Sequence, residues 1–378
     1  MHFIVSSSVL LKNLQVVGGI ISSNVVLPIL EDFLFDLDGN TLTLTGSDLE
    51  TMIKVKVEVQ VDSANAAENK GRICVPSKIL LEYLKNLPEQ PVKFAINLSD
   101  QTLEISSNTG KYKIGGEKAD EYPKEPQADE TISISIPSNV LQGAIASTIY
   151  ATSTDTLRPA MTGVYFELNK DQTTFVATDA QRLVKLTRTD IQSQVESGFI
   201  VPRKPLHILK NIIPSDDTVL DIFFNSSHLF VKNNNLSLSC RLIDAKFPPY
   251  KSVIPQDNPF NLIINRTELI SCLKRVSVFA NKNTSQVVFN ITGNTVNISA
   301  QDIDFSYEGK EELSCQYQGE DMKIAFNAKL LIEMLSNLVT EEVKLELSTP
   351  SRAGIYRPTG ANAQEDLLQL LMPLIVGI

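Results

Sequence analysis

Histidine, cysteine and aspartate are the side chains here with most chemistry to offer, and their spacing argues against most of it. His2, His207 and His228 never fall at HExxH or HxH spacing, so no histidine metal site is expected. Cys74, Cys240, Cys272 and Cys315 lie far apart with no CxxC pair. That suggests neither a zinc cluster nor a disulfide framework, and it fits a reducing cytoplasm. Asp48, Asp179 and Asp302 could be imagined as a carboxylate set, but each closes one of three similar segments, so a turn role is expected for all three. No GxSxG, GxxxxGKS/T or GxGxxG motif occurs. Gly18-Gly19 reads as a helix end and Gly115-Gly116 as a turn, not as phosphate cradles. Without a nucleophile, base and orienter in one pattern, the chain is not expected to be an enzyme and no cofactor is implied. A hydrolase using scattered carboxylates is the catalytic alternative.

The elements that would position these groups come in repeats. VPSKILLEYLKNLP (Val75–Pro88), VPRKPLHILKNIIP (Val201–Pro214) and FNAKLLIEMLSNLV (Phe326–Val339) share a polar or proline opening and apolar residues at helical spacing. In the first copy Ser77 is expected to cap, with Leu80, Leu81, Leu84 and Leu87 as the buried stripe. A second helix opens each unit, within Ser6–Ile20, Pro137–Ala151 and Asn265–Ala280. A stretch of period-two alternation follows each, at Phe33–Glu50, Gly163–Leu183 and Val287–Asp304. Asp38-Gly39 and Thr292-Gly293-Asn294 supply hairpin-turn chemistry.

The chain is therefore predicted to be α+β, three copies of a two-helix unit with antiparallel sheets, divided as 1–127, 128–256 and 257–378. The repeat is far longer than the ~20–50-residue units of solenoids. Sheets repeated in this way have edges that need covering, which a closed symmetric assembly would provide. A length of 378 residues, with 43% hydrophobic and 21% charged residues, gives ample material for full cores. The opening MHFIVSSSVLLKNL has no basic leader and is expected not to be a signal peptide. The apolar run Leu367–Ile378 is shorter than the ~20 residues of a membrane helix and reads as a buried closing strand. A net charge of −10 taken alone argues against DNA, although an acidic protein can hold a duplex where one surface collects the cations.

With the repeat in hand, the local sequences become recognisable. The chain resembles the beta-subunit family of bacterial DNA polymerase III, the sliding clamps, along its whole length. The markers are LPIL (Leu27–Leu30), VPSK (Val75–Lys78), RPAMTGVYFE (Arg158–Glu167), ATDAQRL (Ala177–Leu183), VPRK (Val201–Lys204), KFPPYKSVIP (Lys246–Pro255), FNAKLLIEML (Phe326–Leu335) and MPL (Met372–Leu374). Each is weak alone; their order and spacing carry the resemblance.

It implies a head-to-tail homodimer, six domains in a ring lined by twelve helices, enclosing duplex DNA without reading its sequence. The cations implied to face DNA are Lys12, Lys78, Lys85, Arg203, Lys204, Lys210, Lys274, Arg275 and Lys329. The replicative polymerase and clamp loader would insert a short peptide between the second and third domains. The matching positions are Met161, Thr178, Gln181, Arg182, Leu183, Pro248, Val253, Leu330, Leu370, Met372, Pro373 and Leu374. Across the dimer contact, Tyr112 and Ile114 would meet Val278 and Phe279, with 112 and 114 as apolar tips on one strand face. Three positions depart from the family pattern: Asn24 where a basic residue is frequent, Ala180-Gln181 for the usual Gly-His, and Ile375 for the usual basic residue after MPL. The reading from another class is a β-rich interaction scaffold with no DNA role, against which the unpaired cysteines count.

Overall fold

The computed structural model describes residues 1–22, 27–61, 69–129, 131–360 and 362–375; Asn24 lies outside them. Six α-helices fall among these residues, all inside the repeated segments: α1 Ser7–Gly18, α2 Ser77–Lys85, α3 Ser138–Thr148, α4 Arg203–Ile212, α5 Arg266–Val276 and α6 Ala328–Ser336. Apolar residues three and four apart give each a buried stripe, for example Leu80 and Leu84 on α2 and Leu331, Met334 and Leu335 on α6. Leu81 and Leu87, expected in the α2 stripe, are only half-buried. Ser77 does not cap α2. The cap position is Pro76 and makes no side-chain bond, because the helix begins at Ser77 itself, one residue earlier than the capping reading requires.

One tie recurs in all three repeats. The first residue of the opening helix is anchored to the loop after the second helix. Ser7 N–H donates to Gln90 O at 2.9 Å and its hydroxyl to Pro88 O at 3.1 Å. Ser138 N–H donates to Thr218 O at 2.8 Å and its hydroxyl to Pro214 O. Arg266 N–H donates to Glu341 O at 2.8 Å and its guanidinium to Thr340 O at 2.6 Å. These bonds satisfy donors that a helix start leaves open.

Among the described residues the strands build four antiparallel sheets. An eight-stranded sheet runs in the order Lys70–Pro76, Asp32–Asp38, Thr41–Ser47, Thr51–Glu58, Leu236–Arg241, His228–Lys232, Val219–Phe224, Ile132–Pro137. A nine-stranded sheet runs Ser197–Pro202, Gly163–Leu168, Thr173–Thr178, Arg182–Arg188, Glu365–Leu371, Gly354–Pro358, Glu342–Leu347, Phe260–Asn265, Gln316–Gln318. Two four-stranded sheets end on the edge strands Lys111–Gly115 and Tyr307–Ser314. The predicted hairpin turns form, with Gly39 at φ +59° and Gly293 at φ +53°, a left-handed conformation that glycine adopts without steric cost. Gly115-Gly116 is not a free turn: Gly115 ends a strand, and a Cβ on Gly116 would stand 2.5 Å from Cys74 O. The C-terminal apolar run supplies the strand Glu365–Leu371, buried over its last five residues.

Compactness divides the chain in two, Met1–Leu141 with Lys204–Leu242, and Gln142–Arg203 with Ile243–Ile378. Each long sheet is confined to one unit and joins strands from distant parts of the sequence. Residues 51–55 pair with 236–240 in the first, and residues 182–188 pair with 365–371 in the second.

Candidate functional site

The second unit holds a cavity of about 670 Å³ walled chiefly by apolar side chains. Three stretches of the nine-stranded sheet, the proline-rich loop, the turn 351–353 and Met161 build it. The strand Thr173–Thr178 ends at the wall, and Arg182 and Leu183 begin the next strand. Leu370 and Met372 come from the closing strand and the residue after it, where Met372 N–H donates to Gln181 O at 2.9 Å. The proline-rich loop supplies Pro248, Pro249, Tyr250, Ser252, Val253, Ile254, Pro255 and Gln256. Val176, Leu183, Ile200, Phe247, Tyr250, Ala353, Ile355, Leu368 and Leu370 pack together behind it.

Eight of the twelve sequence-implied pocket residues line the cavity: Met161, Thr178, Arg182, Leu183, Pro248, Val253, Leu370 and Met372. Gln181, Leu330, Pro373 and Leu374 stand outside its wall. Gln181 is exposed; Leu330 takes the helix cap from Asn327 through its N–H, and Leu374 N–H donates to Ala325 O at 2.8 Å. The residues sequence reasoning missed are Ala180, Ser351, Arg352, Ala353 and the rest of the proline-rich loop. The loop was legible, since KFPPYKSVIP continues through it. The turn 351–353 carries no repeat or motif.

Arg182 is buried at 5% exposure and fully engaged. Its Nε donates to Asp179 at 3.0 Å, one terminal nitrogen to Glu333 at 2.7 Å and the other to Tyr150 O at 2.7 Å. The Tyr150 hydroxyl in turn accepts from Gln369 Nε2 at 2.7 Å. The pocket floor is thus tied to α6 by hydrogen-bonded charges that would be costly to break singly. Beside it Ala180 sits at φ +78°, the conformation that the family's usual glycine suits, so alanine bears strain there. On the outer side of the loop, burial works to raise the Glu167 carboxyl. Hydrogen bonds from Lys251 at 2.8 Å and the Tyr250 hydroxyl at 2.5 Å outweigh it and hold the group below the ordinary glutamate range.

The three repeated aspartates close turns. Asp48 Oδ1 accepts from Glu50 N and Thr51 N at 3.1 and 2.7 Å, Asp179 Oδ1 from Gln181 N and Arg182 N at 3.0 Å each, and Asp302 Oδ1 from Asp304 N at 3.2 Å. Among the described residues no group of three or more His, Cys, Asp or Glu could hold a metal, and the four cysteines are buried and unpaired.

The nine helix cations divide by partner. Lys78 pairs with Glu31 at 2.8 Å, Lys204 with Asp48 at 2.6 Å, and Arg275 grips both oxygens of Glu311 at 2.8 and 2.6 Å. Lys12, Lys85, Arg203, Lys274 and Lys329 are exposed with no carboxylate partner among the described residues; Lys210 is half-buried. At the two sheet edges, Tyr112 is 43% exposed and packs at a tilt against Tyr83, ring centres 4.6 Å apart, while Val278 and Phe279 are 74% and 40% exposed. Ile114 departs from expectation. It shares the strand face of Tyr112 but is buried at 8%, because the sheet's own core covers it.

A helix pair repeated three times along the chain, antiparallel sheets and an apolar cavity of peptide size define the class as a clamp built from α+β domains. The N-terminal, central and C-terminal domains of the DNA polymerase III beta subunit match residues 1–126, 135–249 and 251–374. A beta sliding clamp of Staphylococcus epidermidis is 28% identical over 378 residues, covering 99% of each chain. Two solved structures align over the full length of both chains: a DNA polymerase III beta subunit from Thermotoga maritima (26% identity, TM-score 0.90) and a sliding clamp from Pseudomonas aeruginosa bound to griselimycin (25% identity, TM-score 0.93). The chain belongs to the family of DNA polymerase III beta subunits, the sliding clamps. It is a non-catalytic processivity factor of DNA replication. No helix among the described residues is long and apolar enough to cross a membrane.

Proposed function

We propose that two copies of this chain close head to tail around duplex DNA and hold the replicative polymerase and clamp loader by short peptides seated in the cavity of the second unit. The cavity carries the reading. Its adaptable methionines, Met161 and Met372, and its apolar anchors' seats at Leu183, Leu370, Pro248 and Val253 suit a peptide guest. A micromolar peptide needs about −8 kcal/mol, which a few buried anchors supply. Gln181, Leu330, Pro373 and Leu374 would flank the guest. The P. aeruginosa relative bound to griselimycin is consistent with ligand capture by this fold.

In this reading the domains are 1–127, 128–256 and 257–378. The nine helix cations face phosphate, giving loose contact without sequence information. Tyr112 of one copy meets Val278 and Phe279 of the other, with Ile114 supporting the strand from beneath. The chain works in the cytoplasm at the nucleoid. The test is the double substitution Leu183→Ala with Met372→Ala. A polymerase-derived peptide should bind it at least about tenfold more weakly by fluorescence anisotropy, since burying each anchor is worth about 1 kcal/mol or more. Light scattering should still report the dimer. Unchanged peptide affinity would remove the pocket from the proposal.

A further inference from the structure

The cavity has an electrostatic asymmetry that its apolar wall conceals. Among the described residues no aspartate or glutamate lines it, and the two lining cations are Arg182 and Arg352. Arg182 is spent, with all three of its nitrogens bonded inside the protein. Arg352 is exposed, and its side chain has no hydrogen-bond or ion-pair partner among the described residues. The turn that carries it is nevertheless firmly held. Arg352 N–H donates to Thr349 O at 3.1 Å, and Ala353 O accepts from Asn258 Nδ2 at 3.0 Å. The guanidinium therefore stands on a fixed backbone at the rim of an apolar cavity, beside the neutral Ser351 and Gln256.

We propose that Arg352 is a specificity-determining residue of this cavity, selecting partner peptides that carry a carboxylate side chain next to their apolar anchors. This rests on the peptide-pocket reading above and adds to it. The argument is charge complementarity: a guanidinium is always charged, presents a planar fork that matches a carboxylate, and here meets no carboxylate of its own. An acidic guest residue would satisfy it, and a basic one would face an uncompensated cation.

The experiment uses the full-length dimer and synthetic fluorescent peptides sharing one pair of apolar anchors, leucine and phenylalanine. Glutamate, glutamine or lysine is placed in turn at every position flanking those anchors. At low salt one glutamate position should bind about two- to fivefold tighter than its glutamine counterpart, the range of an exposed ion pair, and the gain should fade as salt rises. Arg352→Glu should abolish that gain and favour the lysine peptide, while Arg352→Lys should keep part of it. If no glutamate position outperforms glutamine, or if the gain persists in Arg352→Glu, the assignment of Arg352 is overturned. In that case the glutamine peptide still binding and still losing affinity in Leu183→Ala leaves the pocket itself standing. If no peptide binds, and Leu183→Ala changes nothing, the pocket reading falls and the proposal falls with it.

Discussion

Asp32 opens its strand with a carboxyl almost wholly withdrawn from water, between Glu31 and Glu117. Burial first, then repulsion from Glu117 and Glu31, raises its pKa from 3.8 to about 6. Because the folded value lies above the unfolded one, the group's stabilising contribution is complete below pH 3.8 and is lost as pH rises through 6. At neutral pH the buried charge costs about 1–3 kcal/mol. Asp32→Asn should therefore be more stable than wild type by about that much at pH 7.5, with the difference shrinking toward zero near pH 4. Thermal unfolding of both proteins across pH 4 to 8 measures it, and a gap independent of pH would exclude the carboxyl as its source. Nothing in the sequence marks Asp32, since its environment is assembled from residues 31, 74, 117 and 122. The cavity residues divide in the same way. Leu183 and Met372 are legible from ordered motifs, but Arg352 and Ala353 enter the wall through strand pairing between distant segments.

Helix positions were the most legible elements, because a repeated 3.6-residue pattern recurs at residues 75, 201 and 326. Their starts were less so. Asn265 and Asn327 cap α5 and α6, accepting from Glu268 N at 3.0 Å and Leu330 N at 3.2 Å, whereas Pro76 precedes α2 without a side-chain bond. The same function, closing a helix start, is met by different residues in different repeats, so pattern alone placed the cap wrongly at Ser77. Asn327→Ala and Asn265→Ala should each lower stability by about 1 kcal/mol in urea unfolding without changing the m-value. A loss below about 0.3 kcal/mol would mean that water replaces the cap at no cost. The sheets were harder to foresee. Period-two alternation identifies strands but not which distant strand lies beside them. The chain therefore repeats three times in sequence yet packs as two compact units.

For the whole molecule, the question is how a chain of net charge −10 can hold a polyanion. Three of the nine helix cations, Lys78, Lys204 and Arg275, are already matched to Glu31, Asp48 and Glu311. Exposed pairs of this kind are worth about 0–1 kcal/mol, so phosphate could displace each carboxylate cheaply, but the carboxylate stays nearby and offsets the cation's charge. That leaves Lys12, Lys85, Arg203, Lys274 and Lys329 as the cations most available to phosphate. Each phosphate neutralised contributes roughly 0.9 to the slope of log affinity against log salt, so a handful of contacts gives binding that physiological salt weakens severely. Affinity alone is a poor account of retention, and enclosure a good one. Changing those five residues to glutamine together should slow loading onto nicked circular DNA and flatten its salt dependence. Protein already loaded should stay on the circle through gel filtration at high salt, in the variant as in wild type. Cutting the circle once should release both. If the variant leaves intact circles faster in proportion to the charge removed, or if linearisation releases nothing, then attraction and not closure retains the protein on DNA, and the ring must be given up.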